Sequence, residues 1–370
     1  MVRMMLMAAL AAAAQAVPQA GLPETRPYVQ SEGPGSITLV WRVQGAGEKA
    51  VVRVEREDRA APPTELEAQA LPPASGEALY QYESRVDDLS PGRWYRYRVS
   101  VGRQTWLGRF LAPRGPEEQH TRFVAIADMG TGSEAQGMLA RQMEIFAPEY
   151  VVAAGDVVYP DGAAADYGKH FFTPYAALIG KVPFYAVLGN HDVRTENGAP
   201  LLKAFALPAE PGGERYYSFR QGPAQFWGLD STGDLSADSA QLKWLAADAA
   251  ASRAPWKIAF FHHPPYSTGL HGGSDRVRRH LAPLLEQLGF DLVITGHDHH
   301  YERFAPRGKT TWIVTGGGGG WPYRASGAGS AKIWNGYQFT GVTIEGNTLG
   351  ARAIDVNGVV RDAWSIRKSP

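Results

Sequence analysis

Apolar and polar positions follow two different patterns along this chain. Between about residues 24 and 116 they alternate in short runs, which turns rich in Gly, Pro and Asp separate: SITLVWRV, KAVVRVERE, LYQYESRVDDL and RWYRYRVSVG. Alternation with a period of two is typical of strands that bury one face, and a series of such strands predicts a β-sandwich. We therefore expect an all-β domain over residues 24–116, with Trp41 in its core.

Beyond residue 116 the pattern consists of continuous apolar runs that alternate with segments of helical spacing. The apolar runs are TRFVAIAD, EYVVAAGD, VPFYAVLGNHD, WKIAFFHH and DLVITGHDHH. Helical spacing covers residues 134–146, 166–178, 238–251 and 275–288. Buried strands that alternate with helices predict an α/β domain. The Pro-Arg-Gly-Pro segment at 113–116 is interpreted as a linker, which places this second domain at 119–368.

The C-terminal segment returns to alternation. From residue 336 it reads GYQFTGVTIEGNTLGARAIDVNGVVRDAWSIRK, with Gly-Asn and Asn-Gly pairs between the alternating runs. Such pairs favour tight hairpin turns. We therefore expect antiparallel strands that close a second sheet at its edge.

The N-terminus has the pattern of a signal peptide. Arg3 gives a positive start, residues 4–14 are apolar, and Ala14-Gln15-Ala16 forms a small-x-small cleavage site. The apolar segment is shorter than the roughly 20 residues of a membrane span, and no later apolar run is long enough. We expect residues 1–16 to be a signal peptide and the protein to be exported, into the periplasm or the medium.

Composition narrows the chemistry. Lys and Arg together number 37, as do Asp and Glu, so a zero net charge gives no general attraction to nucleic acid or to an anionic membrane. An anionic ligand would therefore be bound by charged groups close to its site. The composition makes no prediction about the oligomeric state. The chain has no cysteine, so a metal ion would be bound through oxygen and nitrogen atoms.

All five apolar runs of the second domain end in residues that can bind a metal ion. These residues are Asp128, Asp156, Asn190 with His191, His262 with His263, and His297 with His299. Alone, Asp128 or Asp156 could be a helix cap or a turn residue, and a lone histidine at a strand end could be a hydrogen-bonded structural residue. However, sites in α/β sheets form at the carboxyl ends of strands, and five such ends together predict a metal site. Mixed carboxylate and imidazole ligands favour Fe, Zn or Mn over Ca or Mg.

The same residues form a series of ordered motifs. They are DMG at 128–130, GDVVY at 155–159, GNHD at 189–192, HHP at 262–264 and GHDH at 296–299. The series resembles the calcineurin-like metallophosphoesterases, and its variants are similar to those of purple acid phosphatases. That resemblance covers about residues 119–368. It implies a four-layer α/β fold of two packed mixed β-sheets flanked by helices, preceded by an all-β sandwich similar to fibronectin type III domains.

The sandwich carries its own sign of that resemblance. In DLSPGRWYRYRV, residues Leu89, Pro91, Gly92 and Tyr95 are placed as in the tyrosine corner of fibronectin-type domains. There the tyrosine hydroxyl bonds to backbone a few residues upstream. Since the sandwich shows no catalytic pattern, we expect it to have a structural role.

The resemblance to purple acid phosphatases implies two adjacent metal ions that share the carboxylate of Asp156. The remaining ligands are divided between a first site with Asp128, Tyr159 and His299 and a second site with Asn190, His262 and His297. A phenol binds metal well only as phenolate, which a trivalent ion favours. We therefore expect Fe(III) beside Tyr159, and Fe(II), Zn(II) or Mn(II) in the second site.

The resemblance further implies an enzyme, a metal-dependent phosphoric ester hydrolase acting on a small phosphorylated substrate. We expect phosphomonoester hydrolysis by in-line attack of a metal-bound hydroxide. His191 would bind the phosphate or protonate the leaving group, and His271 would be a second substrate-binding histidine. Two alternatives remain open. One is hydrolysis of phosphodiesters or nucleotides on the same metal core, and the other is a cell-surface binding protein with a structural metal site.

Several neighbouring residues receive lesser roles. We expect His263 and His300 to orient the adjacent ligands, and Glu302 to form a buried pair with Arg303 that stiffens the histidine loop. The glycine run at 314–323 lacks the ending of a phosphate loop, so it is predicted to allow close passage of the backbone. Three further histidines are expected to be solvated, although the second could reach the rim of the site: His120, His170 and His280.

Overall fold

The structure is a computed structural model, and it describes residues 21–44, 47–59, 62–71 and 79–369. The predicted signal peptide at residues 1–16 lies outside these ranges. Across the part of the chain that is described, no helix has both the length and the apolar character needed to cross a bilayer.

The first part of the chain forms two antiparallel sheets that pack face to face, here called the N-terminal sandwich. Its strands are β1 Thr25–Gln30, β2 Ile37–Val43, β3 Ala50–Arg56, β4 Thr64–Ala68, β5 Ala70–Leu71, β6 Tyr80–Val86, β7 Trp94–Val101 and β8 Gln104–Leu111. One sheet has the strand order β1-β2-β6-β5 and the other β4-β3-β7-β8. Alternate residues of these strands face one another in a shared apolar core.

The core of the N-terminal sandwich contains the tryptophan that the pattern placed there. Trp41 is fully buried, and its ring stacks on Tyr82 with the ring centroids 5.1 Å apart. The hydroxyl of Tyr95 accepts a hydrogen bond of 2.8 Å from the backbone N–H of Ser90. The predicted tyrosine corner is therefore confirmed.

The rest of the chain alternates strands and helices. Its strands are β9 His120–Ile126, β10 Tyr150–Ala153, β11 Phe184–Ala186, β12 Tyr217–Gln221, β13 Ala224–Gly228, β14 Trp256–Phe260, β15 Leu292–Thr295, β16 Tyr301–Phe304, β17 Thr311–Thr315, β18 Ser330–Trp334, β19 Gln338–Glu345, β20 Thr348–Asp355 and β21 Val360–Arg367. Its α-helices are α1 Glu134–Phe146, α2 Ala176–Ile179, α3 Ala199–Ala204, α4 Ala240–Ala251, α5 Asp275–His280 and α6 Ala282–Gln287. Short 3-10 helices cover Ala164–Asp166, Asp192–Arg194 and Glu196–Gly198, and a π-helix covers Gly168–Phe172.

These strands form two mixed sheets. The first has the order β11-β10-β9-β19-β20-β21, and the second β12-β13-β14-β15-β17-β16-β18. In the first sheet β9, β10 and β11 are parallel, while the C-terminal strands β19, β20 and β21 are antiparallel, as predicted. In the second sheet β13, β14, β15 and β17 are parallel.

The two mixed sheets pack on each other, and helices cover their outer faces. Phe123 of β9 meets Phe226 of β13 edge to face across the sheets, with the ring centroids 5.1 Å apart. Trp227, the residue after Phe226, points the other way and belongs to a separate apolar cluster with residues of α4, α5 and α6. Its Nε1 donates a hydrogen bond of 2.7 Å to Asp248 of α4. Helix α1 packs on the first sheet, where Phe146 contacts Phe339. The predicted four-layer α/β fold is therefore confirmed.

Two features of the helical segments differ from the prediction. Residues 166–178 form a broken series of short helical pieces, because Pro174 has no N–H to donate to the carbonyl of His170. That carbonyl instead accepts from Gln136 Nε2 at 2.7 Å. The predicted helix at 275–288 is divided at Leu281 into α5 and α6. The hairpin β12–β13 was not predicted at all.

The N-terminal sandwich is joined to the rest of the chain through hydrogen bonds to the ends of α2 and α3. The hydroxyl of Tyr28 donates to the carbonyl of Ala204 at 2.6 Å, and the hydroxyl of Tyr97 donates to the carbonyl of Gly180 at 2.9 Å. At the connection, the guanidinium of Arg114 donates to both carboxylate oxygens of Glu149. The segment interpreted as a linker is thus fastened to the second part of the chain.

Candidate active site

The carboxyl ends of five parallel strands, three from the first sheet and two from the second, meet at one edge of the molecule. Their following loops carry the residues that the sequence pattern singled out: Asp128 after β9, Asp156 after β10, Asn190 after β11, His262 after β14, and His297 and His299 after β15. Asp128, Asp156 and His262 are buried and place ligand atoms within 4.8 Å of one another. The structure therefore brings these residues together.

Four side chains form the first group of atoms that could bind a metal ion, here called donor atoms. The hydroxyl of Tyr159 lies 3.2 Å from Asp128 Oδ1, 3.0 Å from Asp156 Oδ2 and 3.0 Å from His299 Nε2. His299 Nε2 is 3.6 Å from Asp128 Oδ1. These four residues are the ones that the motif resemblance assigns to the first metal site.

A second group of donor atoms adjoins the first. His262 Nε2 lies 2.9 Å from Asn190 Oδ1 and 3.2 Å from His297 Nδ1. The same nitrogen is 3.4 Å from Asp156 Oδ2, the oxygen that also faces Tyr159. One carboxylate oxygen is thus within reach of both groups.

The chemistry of these donors fits a pair of metal ions. Donor atoms about 3 Å apart are what neighbouring ligands of one ion show when each lies about 2.1 Å from it. Two imidazoles are also fixed in the tautomer that a ligand needs, because His262 Nδ1 donates to the carbonyl of Ala154 and His299 Nδ1 to that of Trp321. Their Nε2 lone pairs are consequently directed at the donor groups.

The backbone at the donor groups is strained. Asp128, Asp156 and His297 have positive φ angles of 57°, 51° and 71°. Residues other than glycine rarely adopt this conformation, and each instance costs on the order of 1–3 kcal/mol, so such residues concentrate at functional sites. The adjacent glycines are required for space, since a Cβ atom at Gly189 would lie 2.2 Å from Asp156 Oδ1, and one at Gly296 would lie 2.5 Å from Asp128 Oδ2.

The pKa shifts at the site reflect burial together with the charges of the two carboxylates and of the neighbouring histidines. Burial, and then the carboxylates Asp128 and Asp156, raise the pKa of Tyr159 well above its ordinary value. Burial opposes protonation of His262, but the same two carboxylates outweigh it and raise the pKa of that imidazole. The pKa of His297 falls to about 2 because it is buried beside other histidines. A cation among these groups would be favoured, and it would promote ionisation of the phenol.

His191 lies beside the donor groups with one nitrogen free. Its Nδ1 donates to the carbonyl of Pro160 at 2.5 Å, and its ring packs on Tyr159 with the centroids 4.4 Å apart. Its Nε2 faces the site at 4.0 Å from Asp156 Oδ2. This arrangement leaves Nε2 available to a ligand above the donor atoms.

His271 lies on the opposite side of the mouth of the site. It is exposed, and its ring centroid is 4.5 Å from that of His297 and 5.4 Å from that of Tyr323. The ring of Tyr323 in turn stacks on His299, with the centroids 4.3 Å apart. The two histidines assigned to substrate therefore border the donor groups from two sides.

Two buried aspartates at the site were missed, although both lie inside the motifs. Asp192 accepts hydrogen bonds from the N–H of Val157 at 3.0 Å and of Gly189 at 2.9 Å, so it joins the second and third motifs. Burial, followed by the charge of Asp156, raises the pKa of Asp192 to about 7. The other is Asp298, between His297 and His299. The signal for both was an ionisable residue within two positions of a predicted ligand.

The remaining histidines are placed as follows. His263 Nδ1 is 3.0 Å from Ser231 Oγ, and burial lowers the pKa of His263 to about 3. His263 also belongs to a cluster with His262 and His297 whose ligand atoms lie within 4.8 Å of one another. His170 Nδ1 donates to the carbonyl of Tyr159 at 2.7 Å, so this histidine does reach the site.

The predicted pair of Glu302 and Arg303 is wrong. Neighbouring residues of β16 point to opposite sides of the strand, so they have different partners. Glu302 pairs with His300 Nε2 at 2.9 Å, while Arg303 pairs with Asp362 of β21 at 2.7 Å.

The glycine run passes beneath the site, as predicted. A Cβ atom at Gly316 would lie 2.2 Å from the carbonyl oxygen of Asp298. One at Gly318 would lie 2.3 Å from the carbonyl oxygen of Ala127. Only a residue without a side chain fits this close to the neighbouring backbone.

The family model for calcineurin-like phosphoesterase matches residues 121–301, the part of the chain that carries the donor groups. The chain is similar to purple acid phosphatases. It is 29% identical to purple acid phosphatase 17 of Arabidopsis thaliana, over 62% of this chain and 74% of that protein. It is 28% identical to purple acid phosphatase 3 of the same plant, over 70% of this chain and 80% of that protein. The protein is therefore a metal-dependent phosphoesterase resembling purple acid phosphatases.

Solved structures show the same fold. The purple acid phosphatase PPD1 from yellow lupin seeds superposes with a TM-score of 0.83 at 18% identity, over 92% of this chain and 74% of that one. The structure of PhoD superposes with a TM-score of 0.69 at 13% identity, over 93% of this chain and 90% of that one. Because these matches span more than nine-tenths of the chain, they include the N-terminal sandwich.

Proposed function

We propose that the protein is an exported phosphatase that hydrolyses phosphate monoesters at a binuclear metal centre. The observation that carries this proposal is the position of Asp156 Oδ2, which is 3.0 Å from the Tyr159 hydroxyl and 3.4 Å from His262 Nε2. A carboxylate shared by two donor groups suits two adjacent ions. Two bound ions would lower the pKa of a water molecule and neutralise charge on the phosphate oxygens.

The ligand set supports different ions in the two groups. Asp128, Tyr159 and His299 would hold the first ion, and Asn190, His262 and His297 the second, with Asp156 common to both. Tyr159 would bind as a phenolate. Because its surroundings raise the pKa of this phenol, a strong positive charge such as that of Fe(III) is needed to ionise it. Two imidazoles and a neutral amide oxygen suit Fe(II), Zn(II) or Mn(II) in the second group.

His191 and His271 act on the substrate itself. Because the Nδ1–H of His191 donates to the carbonyl of Pro160, Nε2 faces the substrate. When the imidazole is protonated on both nitrogens, the Nε2 proton can pass to the leaving alkoxide, which leaves the ring neutral with its proton on Nδ1. His271, across the mouth, donates a hydrogen bond to a phosphate oxygen. The nucleophile derives from water and attacks the phosphorus in line with the leaving group, because no side chain in these motifs needs to act as the nucleophile.

The remaining parts of the chain receive supporting roles. Residues 1–16 serve as a signal peptide for export, and residues 119–368 form the catalytic domain. Residues 24–116 form a fibronectin type III-like accessory domain, whose role is structural.

Metal analysis together with a visible spectrum and p-nitrophenyl phosphate turnover tests the proposal. The wild type is compared with Tyr159→Phe and with Tyr167→Phe, which changes a fully buried tyrosine outside the donor groups. We expect about two ions per chain including iron, and a visible band that disappears only in Tyr159→Phe. A colourless two-metal protein that still hydrolyses the ester would remove the iron assignment. A protein without metal and without turnover would overturn the proposal, and faster turnover of bis-p-nitrophenyl phosphate would make it a diesterase.

A further inference from the structure

The segment from His297 to Glu302 uses its alternate residues for two different purposes. His297 and His299 contribute to the donor groups. Asp298, His300 and Glu302 are fully buried and point instead towards the loop of residues 265–274, here called the His271 loop. The histidine-rich motif thus adjoins two parts of the site at once.

Asp298 bonds to the His271 loop through both carboxylate oxygens. Its Oδ1 accepts from the backbone N–H of His271 at 2.9 Å, and its Oδ2 accepts from the Ser267 hydroxyl at 2.5 Å. Ser267 Oγ also accepts from the N–H of Gly269 at 3.1 Å. A Cβ atom at Gly269 would lie 2.7 Å from Asp298 Cγ and 2.6 Å from His300, so the loop lies directly on these two side chains.

Glu302 fastens the same loop one residue further along. Its carboxylate accepts from the N–H of Thr268 at 2.9 Å and from the Thr268 hydroxyl at 2.7 Å. His300 Nε2 lies 2.9 Å from the same carboxylate, and the hydroxyl of Ser330 also donates to it. Burial alone would raise the pKa of Glu302, but these hydrogen bonds outweigh it and lower that pKa. Glu302 is consequently ionised when it holds the loop.

The part of the His271 loop that follows Tyr266 has little apolar anchoring of its own. Tyr266 packs on Phe304 and Trp312 at the start of the loop. By contrast, of residues 267–274, all of which the structure describes, none is buried, and the side chain of Leu270 is 70% exposed. Hydrophobic burial is the usual way in which a loop is fixed to a core. Here the hydrogen bonds to two buried carboxylates take that role, because hydrogen bonds to a charged group are stronger than those between neutral groups.

We propose that Asp298 and Glu302 are positioning residues for the reaction. They hold the His271 loop so that the imidazole of His271 stands at the mouth of the site, 4.5 Å from the ring of His297. The inference rests on the proposed function, because it takes His271 as a substrate-binding group. A residue that acts through another contributes only while that other residue is present.

Changes on the loop side test this without altering the segment that carries His297 and His299. Ser267→Ala removes the hydroxyl hydrogen bond to Asp298. Thr268→Val removes the hydroxyl hydrogen bond to Glu302 and the bond that the same hydroxyl accepts from the N–H of Gly327. Both changes are combined with His271→Ala in the full-length, metal-loaded protein. We expect each single change to lower kcat/KM for p-nitrophenyl phosphate about 10-fold with the metal content unchanged. In the His271→Ala background, neither should lower kcat/KM further.

Ser252→Ala is the matched control. Ser252 donates a 2.6 Å hydrogen bond to Gln225 Oε1 at the far end of α4, so this change also removes a partly buried hydroxyl contact. It should leave kcat/KM within about twofold of wild type, as expected for a site outside the reaction. If Ser267→Ala or Thr268→Val lowered kcat/KM by the same factor with and without His271→Ala, the positioning role would be overturned. A loss of bound metal in proportion to the loss of activity would overturn it as well. A metal-loaded wild type without turnover would overturn the proposed function itself, and this inference with it.

Discussion

The N-terminal sandwich and the candidate active site differ in backbone strain and in the burial of charge, although both are built on β-strands. Among the described residues of the sandwich, Asp88 is the one non-glycine with a positive φ angle. At the site, by contrast, three donors share that conformation: Asp128, Asp156 and His297. Strain of this kind persists only where the surrounding structure imposes it. The difference indicates that the sandwich is shaped for stability and the site for binding.

Charge is distributed in the same contrasting manner. The ion pairs of the sandwich lie at its surface, such as Lys49 with Glu67, where each side chain is more than 60% exposed. The site buries Asp128 and Asp156 together, although like charges close to each other are unfavourable. A bound cation would offset that repulsion, so we expect metal binding and folding stability to be coupled at the site and independent in the sandwich.

The largest effect should follow Asp156→Asn. Asparagine tolerates a positive φ angle, so the backbone is retained while the shared negative charge is lost. We expect fewer than two ions per chain and a fall in kcat/KM of at least about 10³-fold. Metal analysis and phosphatase turnover measure both, and unfolding in chelator should show a metal-free variant more stable than metal-free wild type. Wild-type metal content and activity would contradict the shared role of Asp156.

His191→Ala separates catalysis from metal binding within the site. Because His191 Nε2 faces the site without belonging to a donor group, we expect turnover to fall by about 10³-fold while two ions remain bound. His280→Ala, at the exposed end of α5, is the matched control and should retain full activity. Equal losses of metal and activity in His191→Ala would move this histidine into the ligand set.

Trp41→Ala addresses the other side of the comparison. Trp41 is fully buried against Tyr82, and removing so large a core side chain costs about 3–5 kcal/mol. We expect urea unfolding of the sandwich to shift by that amount, with kcat/KM and metal content unchanged at low denaturant. Tyr80→Ala, a less buried position of the same sheet, should cost clearly less. A loss of turnover without denaturant would show that the sandwich shapes the site.

Much of this contrast is readable in the sequence, because periodicity and chemistry are local. The alternating runs predict the sandwich strands. A polar residue that directly follows a buried parallel strand lies at the carboxyl end of that strand, where sites form in α/β sheets, as Asp128 and Asp156 do. Contacts between distant segments have no such signal. Arg303 pairs with Asp362, 59 residues further along the chain, and nothing local distinguishes that partner from Glu302.

The same limit applies to elements whose stability depends on their neighbours. Residues 166–178 have helical spacing, yet Pro174 removes a hydrogen bond and Gln136, from another helix, takes the free carbonyl. The contacts that fix the His271 loop are equally distant in sequence, since Asp298 lies 27 residues after His271. Sequence motifs therefore predict the donors better than they predict the groups that hold the substrate-binding residues in place.

The smallest effect concerns Glu214, which lies where the two regions meet. Burial, with smaller contributions from the charges of Glu83 and Glu32 of the sandwich, raises its pKa to about 7. A carboxyl whose pKa is higher in the folded protein binds more protons there than when unfolded. Its contribution to stability is therefore full below pH 4.5 and is lost as pH rises through about 7.

Glu214→Gln removes this titration and should flatten the fall in stability between pH 5 and pH 8. Because Glu214 is partly exposed, solvent screens its charge, and the difference should stay below about 1 kcal/mol. Urea unfolding of wild type and variant at the two pH values measures it, with Glu196→Gln as the control for an exposed glutamate. Parallel slopes in wild type and Glu214→Gln would mean that the charge of Glu214 does not oppose docking of the sandwich, and that the two regions are electrostatically independent at this contact.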